Sequence, residues 1–208
     1  MLFRSSAPSR CMTWRMNSMR SNNVHKQLAR MSLNCFSVYS ILEARDSKGC
    51  TPLHICSVFG KKATARLLLE CGAHVEARDN EGSTSLHLAS ALSDVHMVSM
   101  FLEHGANVSS RDSEGGTALH AAAALGKMKT VQVLIDAGSD VSALDADRYT
   151  PLHVSAGSGH IDIVRLLVNN RAEVNAIDKE GLTPAGCAKL FGHMKVKQLL
   201  EEKRSLLE

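Results

Sequence analysis

The sequence predicts an all-α solenoid of stacked helix-turn-helix units joined by β-turn-like finger loops, and three observations carry that prediction. A four-residue pattern recurs at a strict 33-residue interval: Thr51-Pro52-Leu53-His54, Thr84-Ser85-Leu86-His87, Thr117-Ala118-Leu119-His120, Thr150-Pro151-Leu152-His153 and Thr183-Pro184. Short apolar stretches with helical spacing follow each block, punctuated by glycine. Hydrophobic residues make up 44% of the chain and aromatic ones only 4%. A core built from Leu, Val, Ile, Ala and Met suits packed helices better than an aromatic-rich β-sandwich.

Each element of the unit has a local reason. Thr before Pro reads as an N-cap followed by proline at the first helical position, where the missing N–H is harmless. Gly60, Gly126, Gly159 and Gly192 then stop a short first helix. The second helix carries an apolar stripe, as in Ile161, Val164, Leu167 and Val168. Gly72, Gly105 or Gly138 ends it, and a turn follows that contains Asp46, Asp79, Asp112, Asp145 or Asp178. Two helices this short cannot bury their apolar faces alone, so units must stack one on the next.

The boundaries that follow are 46–78, 79–111, 112–144, 145–177 and 178–208, a repeat domain over 46–208. Residues 1–22 read as a disordered basic tail. Residues 23–45 read as a helical N-terminal cap, with Val24, Leu28, Met31, Cys35, Phe36, Tyr39 and Leu42 as its apolar positions. The last helix is rich in Lys and Glu, the polar outer face a terminal unit needs. Some positions depart from the pattern. Arg148 replaces the turn glycine and Arg171 the helix-ending glycine, so a positive φ at either would be strained. Ser93-Asp94 replaces Gly-His, and Ala185-Gly186 replaces Leu-His. The fourth and fifth units are therefore expected to fray first.

The Thr-Pro-Leu-His blocks, Gly159-His160, Gly192-His193 and the Leu-Leu-x-x-Gly-Ala close of the unit resemble the ankyrin repeat family over residues 46–208. The resemblance implies partner binding through the finger tips and the exposed, concave side of the first helices. It also implies that Asn175, in Val174-Asn175-Ala176, is a candidate for asparagine hydroxylation, against the alternative that it only makes turn hydrogen bonds.

The stretch 150–160 invites catalytic readings that its context removes. Gly157-Ser158-Gly159 lacks the glycine a nucleophile elbow needs two residues before its serine, and no strand leads into it. It fails as a dinucleotide loop because Asp162 stands where the third glycine belongs. Packed helices lie about 8–10 Å apart, whereas Zn–N bonds are about 2.0–2.1 Å, so the repeated histidines cannot share one ion. Each His with its Thr is expected to tie its turn to neighbouring backbone. Cys56 falls in a small buried slot, and the repeated Asp is expected to form Asx-type turns rather than bind calcium. No catalytic residue, metal or cofactor is expected, and the chain reads as a non-enzyme.

What remains is surface recognition of another protein by a scaffold or adaptor, the alternative being a regulatory subunit or inhibitor that occludes an enzyme or transcription factor. The candidate contacts are Lys48, Glu81, Glu114, Asp147 and Tyr149 at the tips, with Phe59, Leu92, Leu125, Ser158 and Phe191 before the mid-unit glycines. The apolar members form either an interaction ridge, broken at Gly157-Ser158, or positions covered by neighbouring units. Tyr149 and Phe59 would be the aromatic anchors, their loss weakening a partner without lowering thermal stability, and the acidic tips would favour a basic rim on the partner.

Charge is divided unevenly. Residues 1–42 hold six Lys/Arg and no acid, leaving 18 Lys/Arg against 21 Asp/Glu in the rest. A mildly acidic body argues against nucleic acid as the partner, and no apolar run approaches the roughly 18 residues that span a bilayer. A monomer is expected. Six cysteines without a CxxC, and no apolar leader near Met1, suggest reduced thiols and a cytoplasmic protein, with the nucleus also open. The first 42 residues have the composition of a mitochondrial transit peptide, of a plain basic extension, or of sequence upstream of an internal start.

Overall fold

A computed structural model describes residues 41–205, apart from Ser93. Among them are ten helices and no extended strand: α1 (Pro52–Phe59), α2 (Lys62–Glu70), α3 (Ser85–Leu92), α4 (Val95–Glu103), α5 (Ala118–Ala124), α6 (Met128–Asp136), α7 (Pro151–Gly157), α8 (Ile161–Asn169), α9 (Pro184–Leu190) and α10 (Met194–Ser205). The tail expected over 1–22 lies outside the described residues. So does the expected cap, except for 41–45, where Ile41 and Leu42 are helical and Leu42 is buried.

The helices pair as the repeat predicts, and the pairs stack into a two-layer array. First helices pack against one another more extensively than second helices do, which curves the stack with the first-helix row inside. The core runs unbroken along the layer boundary. Leu53, Leu86, Leu119 and Leu152 supply it from the first helices, and Leu68, Phe101, Leu134, Leu167 and Leu200 from the second. Each is at least nine-tenths removed from water, worth about 1.5–3 kcal/mol of transfer free energy apiece.

Helix starts follow the sequence reading. Thr51, Thr117, Thr150 and Thr183 are N-caps in extended conformation, and the Thr150 hydroxyl accepts the His153 N–H at 3.3 Å. Asp94 caps α4 instead, its carboxylate accepting from His96 and Met97 while it pairs with Lys62. That explains one departure: a capping carboxylate stands where other units place His or Lys. Two of the mid-unit glycines do more than stop helices. A Cβ on Gly126 would lie 2.8 Å from the His160 ring, and one on Gly159 would lie 2.5 Å from that of His193. Gly126 and Gly159 are thus seats for the histidine of the next unit, whereas Gly60 and Gly192 face open space.

Arg148 and Arg171 adopt φ 63° and 65°, the left-handed values that the pattern implied. Both sit where glycine carries no Cβ penalty in the other units.

Candidate functional site

The fingers are built by their aspartates. In every unit one Asp oxygen accepts two backbone N–H groups, two and four residues on: Asp112 takes Glu114 and Gly116 at 3.0 and 2.8 Å, and Asp145 takes Asp147 and Tyr149 at 2.9 and 2.8 Å. The same arrangement recurs at Asp46, Asp79 and Asp178. These are the expected turn formers, with their carboxylates already committed to backbone.

The histidines behave as expected too, and their protonation follows from the geometry. At His54 the Nδ1 atom accepts the Thr51 N–H at 3.2 Å and lies 2.8 Å from the Thr51 hydroxyl. An acceptor Nδ1 places the ring proton on Nε2, which donates to the Ser83 carbonyl at 3.0 Å in the next unit. His87, His120 and His153 repeat this toward Gly116, Tyr149 and Leu182. Burial pushes all three imidazoles down, His120 to about 4, so the clamps are neutral. The four repeated histidines are thus inter-unit staples. Among the described residues no three His, Cys, Asp or Glu gather closely enough to hold a metal ion. Burial raises the thiols of Cys56 and Cys187 to about 11 and about 12, which keeps both protonated and poorly nucleophilic.

The tip residues present side chains outward while their backbone joins the units. The carbonyls of Lys48, Glu81, Glu114 and Asp147 each accept an N–H from the following finger at 2.8–3.0 Å. Glu81 and Glu114 are exposed, Lys48 and Asp147 half-buried, and Asp147 pairs with Lys179 at 3.2 Å. The Glu114 carboxyl is raised by partial burial and then by the negative charges of Asp112, Asp145, Glu81 and Asp147. Neighbouring fingers therefore repel one another, and positive charge brought to the tips would relieve that repulsion.

The ridge is less continuous than the sequence suggests. Phe59 (41% exposed) and Phe191 (53%) are open, and Ser158 is exposed, but Leu92 and Leu125 are half-buried. The break at Gly157 is filled from the next unit, because a Cβ there would stand 3.4 Å from the Phe191 ring. Tyr149 is half-buried. Its ring lies edge-on to His153 with centroids 5.8 Å apart, and its carbonyl receives His120. Burial, followed by the nearby Asp178 carboxylate, raises its phenol. The backbone of Tyr149 belongs to the seam between units, while its ring packs on His153 of its own unit. Asn175 is exposed, and its N–H donates to Glu173.

Sequence reasoning missed Leu190 and Met194, 54% and 56% exposed beside Phe191. It also missed a column one residue before each finger aspartate. Arg45, Arg78 and Arg111 reach the carbonyls of Gly49, Gly82 and Gly115 at 3.1, 3.0 and 2.8 Å, and each also reaches the carbonyl of the residue 33 positions on. Leu144 and Ile177, both exposed, end the column. The 33-residue register displays that column as plainly as it displays the histidines.

A curved helical-repeat solenoid whose polar repeats are spent on internal staples defines a class: a stacked-repeat architecture with an extended outer surface. The chain belongs to the ankyrin repeat family. Residues 48–80 match the pattern described as Ankyrin repeat, residues 76–145 the one for Ankyrin repeats (3 copies), and residues 134–185 the one for Ankyrin repeats (many copies). No curated protein matches the chain. Ankyrin repeats are generally protein–protein interaction modules, and proteins built from them are generally not enzymes.

Proposed function

We propose that this chain is a non-enzymatic scaffold or adaptor that holds another protein against the inner face of its first-helix row and its finger tips. The observation that carries this reading is the pair of open aromatic side chains, Phe59 and Phe191, on the same row at opposite ends of the array. Aromatic side chains left exposed beside polar residues are the usual anchors of protein interfaces. Between them Glu81, Glu114 and Asp147 line the tips, which favours a partner with a basic rim. The acidic body disfavours nucleic acid, and among the described residues no helix is long and apolar enough to cross a membrane. A monomer in the cytoplasm completes the reading.

Affinity purification with mass spectrometry, wild type against a Phe59→Ala/Ser158→Arg variant, tests it. A partner lost from the variant while its unfolding midpoint is unchanged supports the reading, and normal retention of every partner overturns it. If the retained partner is an enzyme or transcription factor whose activity falls on binding, the chain is an inhibitor instead. Fusing residues 1–42 to a fluorescent protein tests the location, since mitochondrial accumulation would replace the cytoplasmic assignment.

A further inference from the structure

The fifth unit departs from the others at the two positions that matter most for packing. Where earlier units place Leu and His, it has Ala185 and Gly186. In the fourth unit Leu152 is fully buried, and His153 reaches the Leu182 carbonyl. With both side chains missing from the fifth, an open groove of about 280 Å³ lies between α9 and α10. Val174, Ala185 and Leu200 form its apolar part, and Lys189, Lys197 and Arg204 its polar walls. The one acidic wall residue, Glu201, is already held by Lys197 at 3.1 Å.

Neighbouring atoms do not force this gap. A Cβ on Gly186 would meet Leu182 and Thr183 only at ordinary contact distances of 3.5–3.6 Å. Glycine inside a helix is unfavourable, so the local sequence is not the one that best stabilises α9. The volume is slightly below the roughly 300–1,000 Å³ usual for small-molecule pockets, which points to a side chain rather than a cofactor. Lys197 and Arg204 stand two turns apart on α10, about 10 Å along its axis. Carboxylates spaced along a peptide match that separation.

We propose that this groove is a second docking site, which takes an acidic peptide segment of a partner protein. An apolar side chain of that segment occupies the space left by Leu and His, and flanking carboxylates meet Lys189 and Arg204 and share Lys197 with Glu201. The inference rests on the chain being a protein-binding module, but it uses residues that the inner-face variant leaves intact. The two readings therefore fail separately.

Fluorescence anisotropy with a labelled Glu-Asp-Leu-Glu-Asp peptide on the full chain tests it. The expected result is saturable binding that weakens as salt rises from about 0.05 to about 0.3 M. The Ala185→Leu/Gly186→His variant, which restores the repeat pattern, should fill the groove and reduce affinity at least about tenfold without lowering the unfolding midpoint. Lys189→Glu/Arg204→Glu should weaken binding as much, and it decides the matter alone if the filled variant misfolds. Undiminished binding in the charge-reversed variant overturns the proposal. So does equal binding of a Lys-Arg-Leu-Lys-Arg peptide, or full competition by low-millimolar phosphate. Sedimentation showing that wild type, but not the filled variant, self-associates would assign the groove to a second copy and overturn it as well.

Discussion

In the second and third units the finger closes as a hairpin, with antiparallel bridges between Arg78 and Thr84 and between Arg111 and Thr117. No such bridge forms in the fourth or fifth unit, although both keep the aspartate turn. Two substitutions separate the regions. The arginine that clips its own finger and the next becomes Leu144 and then Ile177, and the left-handed glycine of the turn becomes Arg148. The contrast teaches that aspartate alone sets the turn. Both hairpins carry the arginine and a left-handed glycine, but the first finger carries Arg45 and Gly49 without a bridge, so the pair accompanies the hairpin without sufficing for it.

Cutting the histidine staple at the junction of the two regions should have the largest effect. His120→Ala removes the partner of the buried Thr117 N–H and one of two donors to the half-buried Tyr149 carbonyl, which keeps the Asp145 N–H. Leaving a buried N–H unpaired costs about 1–3 kcal/mol and the lost ring leaves a cavity, so a loss of about 3 kcal/mol is expected in urea unfolding. The units after the cut should then melt as a separate, earlier transition. A single transition with an unchanged midpoint would show that the staple does not join the regions.

Acid attacks the same staples. Between pH 6.5 and 4 the unfolded chain binds a proton that buried His120 does not, so its stabilisation is complete above pH 6.5 and lost as pH falls toward 4. For this residue alone the loss is on the order of 3 kcal/mol. His87 and His153, also lowered by burial, add to it. Asp145 and Glu114, whose carboxyls are raised, run the opposite way and soften the decline. Urea titrations at pH 7 and 4.5 should show a fall in wild type and a shallower one in His120→Ala. Equal slopes would remove His120 from the account.

Native-state hydrogen exchange compares the regions directly. Finger amides of the fourth and fifth units, such as Tyr149 and Leu182, should exchange at least about tenfold faster than Ser83 and Gly116, a difference near 1.4 kcal/mol. Slow exchange there, with fast exchange in the second and third units, would reverse the ordering.

Much of this architecture was legible because the 33-residue register repeats local chemistry. Thr capping, Asp turns and the strained Arg148 and Arg171 follow from residue type and position, and the structure places each as expected. The surface was harder to read, since exposure depends on how closely one unit approaches the next. Leu92 and Phe59 occupy equivalent positions, yet Leu92 is half-buried and Phe59 open. Tyr149 looked like a free tip, but its carbonyl is claimed by His120 of the preceding unit and its ring packs on His153 of its own. Gly157 looked like a gap in the ridge, and the Phe191 ring fills it from 34 residues away. Pairings across that distance follow from the spacing between units, which no single unit encodes.

The smallest effect is also the sharpest test of the contrast, because it tries to convert one region into the other. Arg148→Gly restores the residue that stands at φ 72° and 76° in the second and third units. Removing a left-handed Cβ relieves about 1 kcal/mol, and the greater freedom of glycine in the unfolded chain returns part of it, leaving a gain of about 0.5 kcal/mol. Little is lost with the side chain, whose Nε reaches the Ile177 carbonyl only at 3.5 Å. Leu144→Arg extends the column by one step, placing a guanidinium where Arg111 stands one unit earlier, and removes an exposed apolar side chain. Solvent-exposed hydrogen bonds of this kind add about another 0.5 kcal/mol. The double variant should slow exchange at Tyr149 toward that at Gly116. If exchange there does not change, the finger is not the source of the looseness. The weakness would then lie in the fifth unit, where Ala185 and Gly186 replace the Leu and His of the other units.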